Sequence, residues 1–164
     1  MSFFNSALLV VIALVVLAPV YVRLAPSNAA RWHVDPTTAA RPRTPNYYFV
    51  LQSIPKRPAP VFQADAAELA AAFDAFAVAQ PLVVRLAGGV DDLHITYVQR
   101  SNTMKYPDYL SVRFIDLGGG LATVAIFSRS RFGIGDRGFN KRRVQKWLKS
   151  LDSFARIDPS KQSD

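Results

Sequence analysis

The chain has 164 residues, half of them hydrophobic, and 20 Lys and Arg against 12 Asp and Glu give it a formal net charge of +8. It has no Cys, which excludes disulfides and thiolate chemistry but does not select a cellular compartment. Every charged side chain lies beyond Val22, so the sequence predicts an apolar stem and a basic head.

Residues 1–24 are predicted to form a transmembrane anchor. Ala7 to Val22 has no charged or amide side chain, and Phe3 and Phe4 extend the apolar stretch. A helix rises about 1.5 Å per residue, so Phe3 to Leu24 is long enough to cross a hydrocarbon core about 30 Å thick. Pro19 removes one backbone donor near the end of this span, and a kink there still leaves a crossing helix.

A cleaved signal peptide and a buried core helix are the alternatives to an anchor. No Lys or Arg precedes the apolar run, and Pro26 would crowd a cleavage site placed after Ala25. A uniformly apolar stretch of this length has no polar face, which disfavours a core helix. The sequence therefore predicts a single-pass membrane protein.

Residues 25–60 are predicted to be a proline-rich linker with one short strand. The segment holds 7 of the chain's 11 prolines. Each proline fixes φ and biases the preceding residue to extended geometry, so we expect a semi-rigid spacer. Tyr47 to Gln52 interrupts the prolines with aromatic and β-branched residues, which predicts a short strand at a sheet edge.

Residues 61–155 are predicted to form one α+β head domain, followed by a polar tail at 156–164. Asp65 and Glu68 make an acidic capping box, which predicts a helix over Ala66 to Ala79. Stretches rich in Val, Ile, Tyr and Phe predict four strands, which are Leu82 to Ala87, His94 to Arg100, Tyr109 to Leu117 and Leu121 to Phe132. A final amphipathic helix opens at Gly138. We expect an antiparallel sheet of about four to five strands with these two helices packed on it.

Several short stretches of the chain together form a specific pattern. They are RLAPSNAARWHVDP at 23–36, TYVQRS at 96–101, PDYLSVR at 107–113, SRSRFG at 128–133, DRGFN at 136–140 and Trp147-Leu148. This pattern resembles a bacterial family known as domain-of-unknown-function family 1499. The resemblance implies a small protein with an N-terminal membrane segment, and it implies no activity.

The expected location is therefore a bacterial inner membrane. The positive-inside rule, applied to Arg23, Arg31, Arg41 and Arg43 beyond the span, favours a cytoplasmic head. Domains of this size can translocate whatever their charge, so a periplasmic head stays open.

Arginines cluster on and beside the last predicted hairpin. Side chains alternate along a strand, so Arg129 and Arg131 share one face, and pairing could bring Arg113 and Arg100 towards them. Guanidinium groups bind phosphate or carboxylate through bidentate hydrogen bonds, which makes these four residues a candidate site for an anion or a partner. The alternative is that they lie over the sheet or pair with nearby carboxylates, namely Asp108, Asp116 or Asp136.

The segment from Gly133 to Gly138 matches G-x-G-x-x-G between a predicted strand and a helix. A dinucleotide site needs a parallel βαβ unit, whereas only a polar tail follows this helix. Asp158, about twenty residues on, has no strand end to occupy. We interpret the glycines as turn residues and expect no cofactor.

Basic residues gather on the final helix around an apolar stripe that contains Trp147. They are Arg137, Lys141, Arg142, Arg143, Lys146 and Lys149. Nucleic acid could bind such a face, but the stem already holds the head at a membrane, where anionic lipid attracts each basic side chain by about 1 kcal/mol. We therefore expect anionic lipid or a membrane protein complex as the partner and disfavour nucleic acid. A solvated face without a partner is the alternative.

Catalytic and metal sites have little support. His33 lies in the linker and His94 begins a strand, so they lack metal-ligand spacing. Asp91 and Asp92 are typical of a turn, and Ser128 and Ser130 have no base that the sequence can locate. We expect no catalytic residue and no metal.

These observations favour a non-catalytic, membrane-anchored binding or accessory module that uses a basic, Arg-rich surface. The alternative is a small membrane-tethered enzyme or an anionic small-ligand-binding domain that uses the Arg cluster. A pocket in which Arg129, Arg113 and a His or Asp converge would favour the alternative, whereas a flat basic or aromatic surface would favour a lipid or protein partner.

Overall fold

The computed structural model describes residues 3–54 and 58–157. Predictions that concern Met1, Ser2, Pro55 or the tail from Asp158 onward therefore lie outside the described residues. The helices are α1 (Phe3–Leu24), α2 (Ala29–Trp32), α3 (Ala66–Val78) and α4 (Phe139–Leu148), with a 3-10 turn at Lys149–Leu151. The strands are β1 (Tyr47–Val50), β2 (Val61–Gln63), β3 (Val83–Gly89), β4 (His94–Arg100), β5 (Pro107–Gly118), β6 (Leu121–Ser130) and β7 (Arg156–Ile157).

The predicted stem forms the single helix α1, with Pro19 inside it. Among the helices in the described ranges it alone is long and apolar enough to cross a membrane, a property that signal sequences near an N-terminus share. Its large apolar side chains, from Leu8 to Leu17, are exposed. The head does not cover these side chains, whereas a membrane crossed by α1 would bury them.

Within the described residues, seven strands form one antiparallel sheet in the order β3-β4-β5-β6-β2-β7, with β1 also paired to β6. β1 and β2 lie end to end along the same edge of β6, where Phe49 is opposite Phe127 and Phe62 is opposite Ala122. The predicted α+β architecture is confirmed, and the predicted count of four to five strands is corrected to seven. β2 and β7 have three and two residues, too few to show an alternating pattern in sequence.

The main core lies between one face of the sheet and the helices α3 and α4. Phe73 of α3 meets Trp147 of α4 edge to face, with ring centroids 5.8 Å apart, and Tyr97 of β4 lies 5.5 Å from the same indole. All three rings are fully buried. Aromatic pairs of this kind stabilise a core by about 0.5–1.5 kcal/mol beyond the area that they bury.

Much of the segment that is predicted to be a proline-rich spacer packs against the sheet. Ala25, Trp32 and Asn46 are buried, and residues 27–42 lie on the face of the sheet that α3 and α4 leave open. Proline restricts φ without preventing packing, and this segment has aromatic and polar side chains that find partners on the sheet. The sheet therefore has a helical layer on one face and an irregular N-terminal layer on the other.

Candidate functional site

The open face of the sheet carries an unusual set of polar side chains. Side chains alternate along a strand, so residues at every second position of β4, β5 and β6 point away from the helices. The residues on this face are His94, Thr96, Tyr109, Ser111, Arg113, Phe127 and Arg129, and the register pairs of adjacent strands place them side by side. The N-terminal layer covers this set.

Trp32 fixes the N-terminal layer to the sheet. Its indole stacks on the ring of Tyr109, with centroids 3.8 Å apart and planes 5° from parallel. Its carbonyl oxygen accepts hydrogen bonds from Nη2 of Arg129 (2.9 Å) and from the Ser111 hydroxyl (3.4 Å). The short helix α2 presents the indole in this position, and the Asn28 side chain caps that helix by accepting from Ala30 N (2.8 Å).

Arg129 is buried beneath this layer, with 8 % of its surface exposed. Its guanidinium lies over Phe127 and beside Trp32, 4.3 and 5.0 Å from the two ring centroids. Burial, opposed by Tyr109 and helped by the neighbouring charge of Arg31, lowers the pKa of Arg129 to about 10. Among the described residues no carboxylate forms an ion pair with it.

A shallow cleft of about 290 Å³ opens beside Arg129. It is lined by Arg31, Trp32, Val34, Ala39, Ala40, Pro42, Phe127 and Arg129. The N-terminal layer supplies six of these eight residues, and β6 supplies Phe127 and Arg129. The cleft therefore exists only because residues 31–42 lie on the sheet.

Two histidines meet on the same face, although 60 residues separate them in the chain. The His33 and His94 rings stack with centroids 3.9 Å apart. Nδ1 of His33 is 2.9 Å from the Thr96 hydroxyl, which in turn donates to Ser111 (2.9 Å). Nε2 of His94 donates to the Val34 carbonyl (3.2 Å), which leaves its Nδ1 facing Arg113. Burial lowers the pKa of His94, and the charges of His33 and Arg113 lower it further.

Arg113 forms an ion pair with Asp35 of the N-terminal layer. Burial alone would raise the pKa of Asp35, but hydrogen bonds from Thr37 and the charge of Arg113 lower it. Both side chains are partly exposed, so this ion pair contributes only modestly to the stability of the contact between the layer and the sheet.

The hydroxyl groups of this polar network have partners within the fold. The Ser111 hydroxyl is buried, accepts from Thr96 and donates to the Trp32 carbonyl. Within residues 3–54 and 58–157 no three His, Cys, Asp or Glu side chains are arranged to hold a metal ion. On this face, the cationic cleft beside Arg129 is open to solvent.

The four arginines of the predicted anion site have separate partners. Arg113 lies opposite Ala125 and Arg129 opposite Tyr109, which places them four residues, or about 13 Å, apart along the strands. Arg100 donates to the Lys105 carbonyl (3.0 Å), and Arg131 donates to the Pro26 carbonyl (2.8 Å). The structure thus combines Arg129 with Arg31 instead of Arg113.

The predicted basic face of α4 divides into two parts. Arg143 lies against the sheet, where it pairs with Asp108 and donates to Gln99 (2.7 Å) and Asn140 (2.8 Å). The other five residues are exposed, namely Arg137, Lys141, Arg142, Lys146 and Lys149. A shallow groove of about 590 Å³ follows this face, and Arg156 of β7 also lines it.

The glycine-rich segment before α4 forms a turn. Gly133 and Gly138 have φ of 89° and 76°, and the Asp136 carboxylate accepts from the backbone of Gly138 (2.9 Å) and Asn140 (2.8 Å). The chain after α4 returns as β7, which pairs antiparallel with β2. A parallel βαβ unit is therefore absent from the described part of the chain.

Sequence reasoning missed Arg31, Trp32 and His33, because a proline-rich segment was interpreted as a spacer. One signal could have identified them. A Trp beside a His and two charged residues in Arg31-Trp-His-Val-Asp35 is atypical of a solvated linker, since Trp is rarely left exposed.

The comparisons with known proteins agree with the resemblance seen in the sequence. A search of the curated proteins found no match. The model of the family described as "Protein of unknown function (DUF1499)" matches residues 35–151. This range covers six of the seven described strands, β1 to β6, together with α3 and α4, begins in the N-terminal layer at Asp35, and is more than half of the chain. The chain therefore belongs to the family "Protein of unknown function (DUF1499)".

Proposed function

We propose that the protein is a single-pass, membrane-anchored binding module of a bacterial inner membrane, whose basic head rests on anionic lipid. The observation that carries this proposal is the contact between the stem and one end of the sheet. Tyr21, in the last turns of α1, meets Phe132 edge to face with ring centroids 6.3 Å apart. Arg131, beside Phe132, donates to the Pro26 carbonyl just after the stem. The loop that follows β6 therefore lies next to the point where α1 would leave the bilayer.

Apolar side chains are exposed in that loop and at the start of α4. Ile134 of the loop and Phe139, the first residue of α4, are 79 % and 59 % exposed. Tyr106, from the loop between β4 and β5, adds a partly exposed ring 6.1 Å from Phe132. Aromatic and apolar side chains at the level of lipid head groups are stabilised there, because one part of the ring contacts the acyl chains and the rest stays in water.

Basic side chains flank the apolar loop. Arg137, Lys141 and Arg142 are exposed, and the Arg142 guanidinium lies 4.6 Å from the Phe139 ring centroid. Each basic side chain near an anionic leaflet contributes about 1 kcal/mol of attraction. Apolar tips surrounded by cations match the chemistry of an anionic bilayer surface, which supports lipid as the partner.

Because the chain has no Cys, a single introduced thiol can report on this surface. The full chain would be placed in nanodiscs of phosphatidylcholine, with or without phosphatidylglycerol, and labelled with a polarity-sensitive fluorophore at Ile134→Cys. Asp91→Cys is the matched control, because the β3–β4 turn lies at the opposite end of the sheet and is exposed. We expect blue-shifted emission at position 134, larger in anionic nanodiscs, and water-like emission at position 91.

Two results would contradict the proposal. Water-like emission at both positions would show that the head stands away from the bilayer. A shift at position 134 that occurs only when another membrane protein co-purifies would replace lipid by a protein partner and favour the accessory role.

We further propose that the head is cytoplasmic, since basic residues follow the span. Asp91→Cys in intact spheroplasts should resist a membrane-impermeant maleimide until the spheroplasts are lysed. Labelling of intact spheroplasts would instead place the head in the periplasm.

A further inference from the structure

Within residues 3–54 and 58–157, the cleft beside Arg129 concentrates positive charge that no ion pair with an acidic side chain balances. Arg31 and Arg129 both approach the Trp32 ring, at 5.3 and 5.0 Å from its centroid. The ion pairs in the described part of the chain use other arginines, which are Arg85, Arg113, Arg143 and Arg156. Two cations near one ring repel each other, so an anion between them would lower the electrostatic energy of the folded state.

The cleft also has an apolar wall. Val34, Ala39, Ala40 and Pro42 line it together with the rings of Trp32 and Phe127. Its volume of about 290 Å³ is just below the range of roughly 300–1,000 Å³ that is typical of ligand pockets. The part of a ligand that enters the cleft would therefore be small and would combine a charged end with an apolar part.

We propose that this cleft binds an organic anion, a carboxylate or phosphate ester that carries an apolar group. Arg129 and Arg31 bind the charged end, because guanidinium groups form charge-assisted hydrogen bonds with carboxylate and phosphate oxygens. Trp32 and Phe127 contact the apolar part. This site is separate from the lipid-facing loop, and it does not depend on whether the head rests on a bilayer.

The test is a calorimetric titration of the full chain in neutral detergent with hexanoate, inorganic phosphate and uncharged hexanol. We expect saturable binding of hexanoate, weaker binding of phosphate and none of hexanol. Arg31→Ala should weaken hexanoate binding about tenfold, because one charge-assisted contact is lost. Arg43→Ala is the matched control, since Arg43 is exposed, lies in the same layer and does not line the cleft. It should leave the binding unchanged.

Arg31 is the residue to substitute because it is exposed, whereas Arg129 also holds Trp32 in place. The proposal is overturned if neither anion binds saturably, if hexanol binds as well as hexanoate, or if Arg31→Ala and Arg43→Ala weaken binding equally. Equal weakening would mean that the general charge of the head attracts the anion.

Repeating the hexanoate titration in nanodiscs identifies the source of the anion, and either result is consistent with an occupied cleft. Binding that is lost only in phosphatidylglycerol nanodiscs indicates that lipid phosphate occupies the cleft. Binding that persists in both kinds of nanodisc indicates a freely diffusing acid.

Discussion

Trp32 is the residue that makes the N-terminal layer part of the head. Its ring stacks on Tyr109 and lies 5.0 Å from the Arg129 guanidinium, and its carbonyl accepts from two side chains of the sheet. In the described structure, one other ring of residues 25–46 stacks on the sheet in this way, namely His33 on His94. The cleft depends on this attachment.

Trp32→Ala should therefore destabilise the full chain by about 3–5 kcal/mol, the usual cost of truncating a buried Trp. The measurement is chemical denaturation in neutral detergent, followed by far-UV circular dichroism. Arg41→Ala, an exposed change in the same segment, should stay within about 0.5 kcal/mol of the parent. A comparably small effect of Trp32→Ala would mean that the segment is a spacer after all.

His94 couples the stability of this face to pH. The groups that face it are His33, Arg113 and Asp35, and burial together with the two cationic neighbours lowers its pKa below the ordinary value of 6.5. Its unfolded form therefore takes up a proton at a higher pH than its folded form does. The resulting stabilisation is complete above about pH 6.5 and is lost as the pH falls towards the folded pKa.

The free energy of unfolding should accordingly decrease when the pH is lowered from 7.5 towards 5, a range that lies above the titration of Asp35. His94→Asn removes the titrating group and should flatten the slope. A stability that rises on acidification, or a slope that His94→Asn leaves intact, would contradict this assignment.

At the scale of elements, α4 has two distinct faces. Asn140 is fully buried, donates to the Asn46 carbonyl (2.9 Å) and accepts from Ser128 (2.6 Å), and Arg143 joins the same network. The network links α4 to β5, β6 and the residue just before β1. The exposed lysines of the helix take no part in it.

Arg143→Ala should cost about 2–3 kcal/mol of stability, because Asp108 and Asn140 lose a charged donor in a mostly buried setting. Lys149→Ala on the exposed face should cost less than about 0.5 kcal/mol. Chemical denaturation of both variants measures these costs. Equal, small losses of stability would show that Arg143 belongs with the exposed basic residues, as the sequence predicts.

The sequence pattern predicted the bounds of helices and strands closely where the pattern extends over many residues. β4 spans the predicted His94 to Arg100, and α3 ends one residue short of the predicted Ala79. The strands β2 and β7 were missed because their pairing depends on β6 and on each other rather than on local periodicity. Arg129 was identified from its chemistry, but its contact with Trp32 spans 97 positions in the chain, and no spacing rule reports such a distance.

At the scale of the whole molecule, the stem gives the head its position. The exposed apolar loop and the cationic residues beside it lie at the end of the sheet where α1 joins. Ile134 and Phe139 there are exposed although the stem is present, so this end is an apolar patch in water. Under the proposed function, the bilayer that α1 crosses would cover this patch.

The most direct measurement is the intact mass of the chain in carbonate-washed membranes of the cells that express it. We expect the chain to stay in the membrane pellet with its full mass of 18.1 kDa, because α1 is retained as a span. A shorter chain without the stem, recovered in the soluble fraction, would show that α1 is a cleaved signal sequence and would contradict the membrane-anchored function.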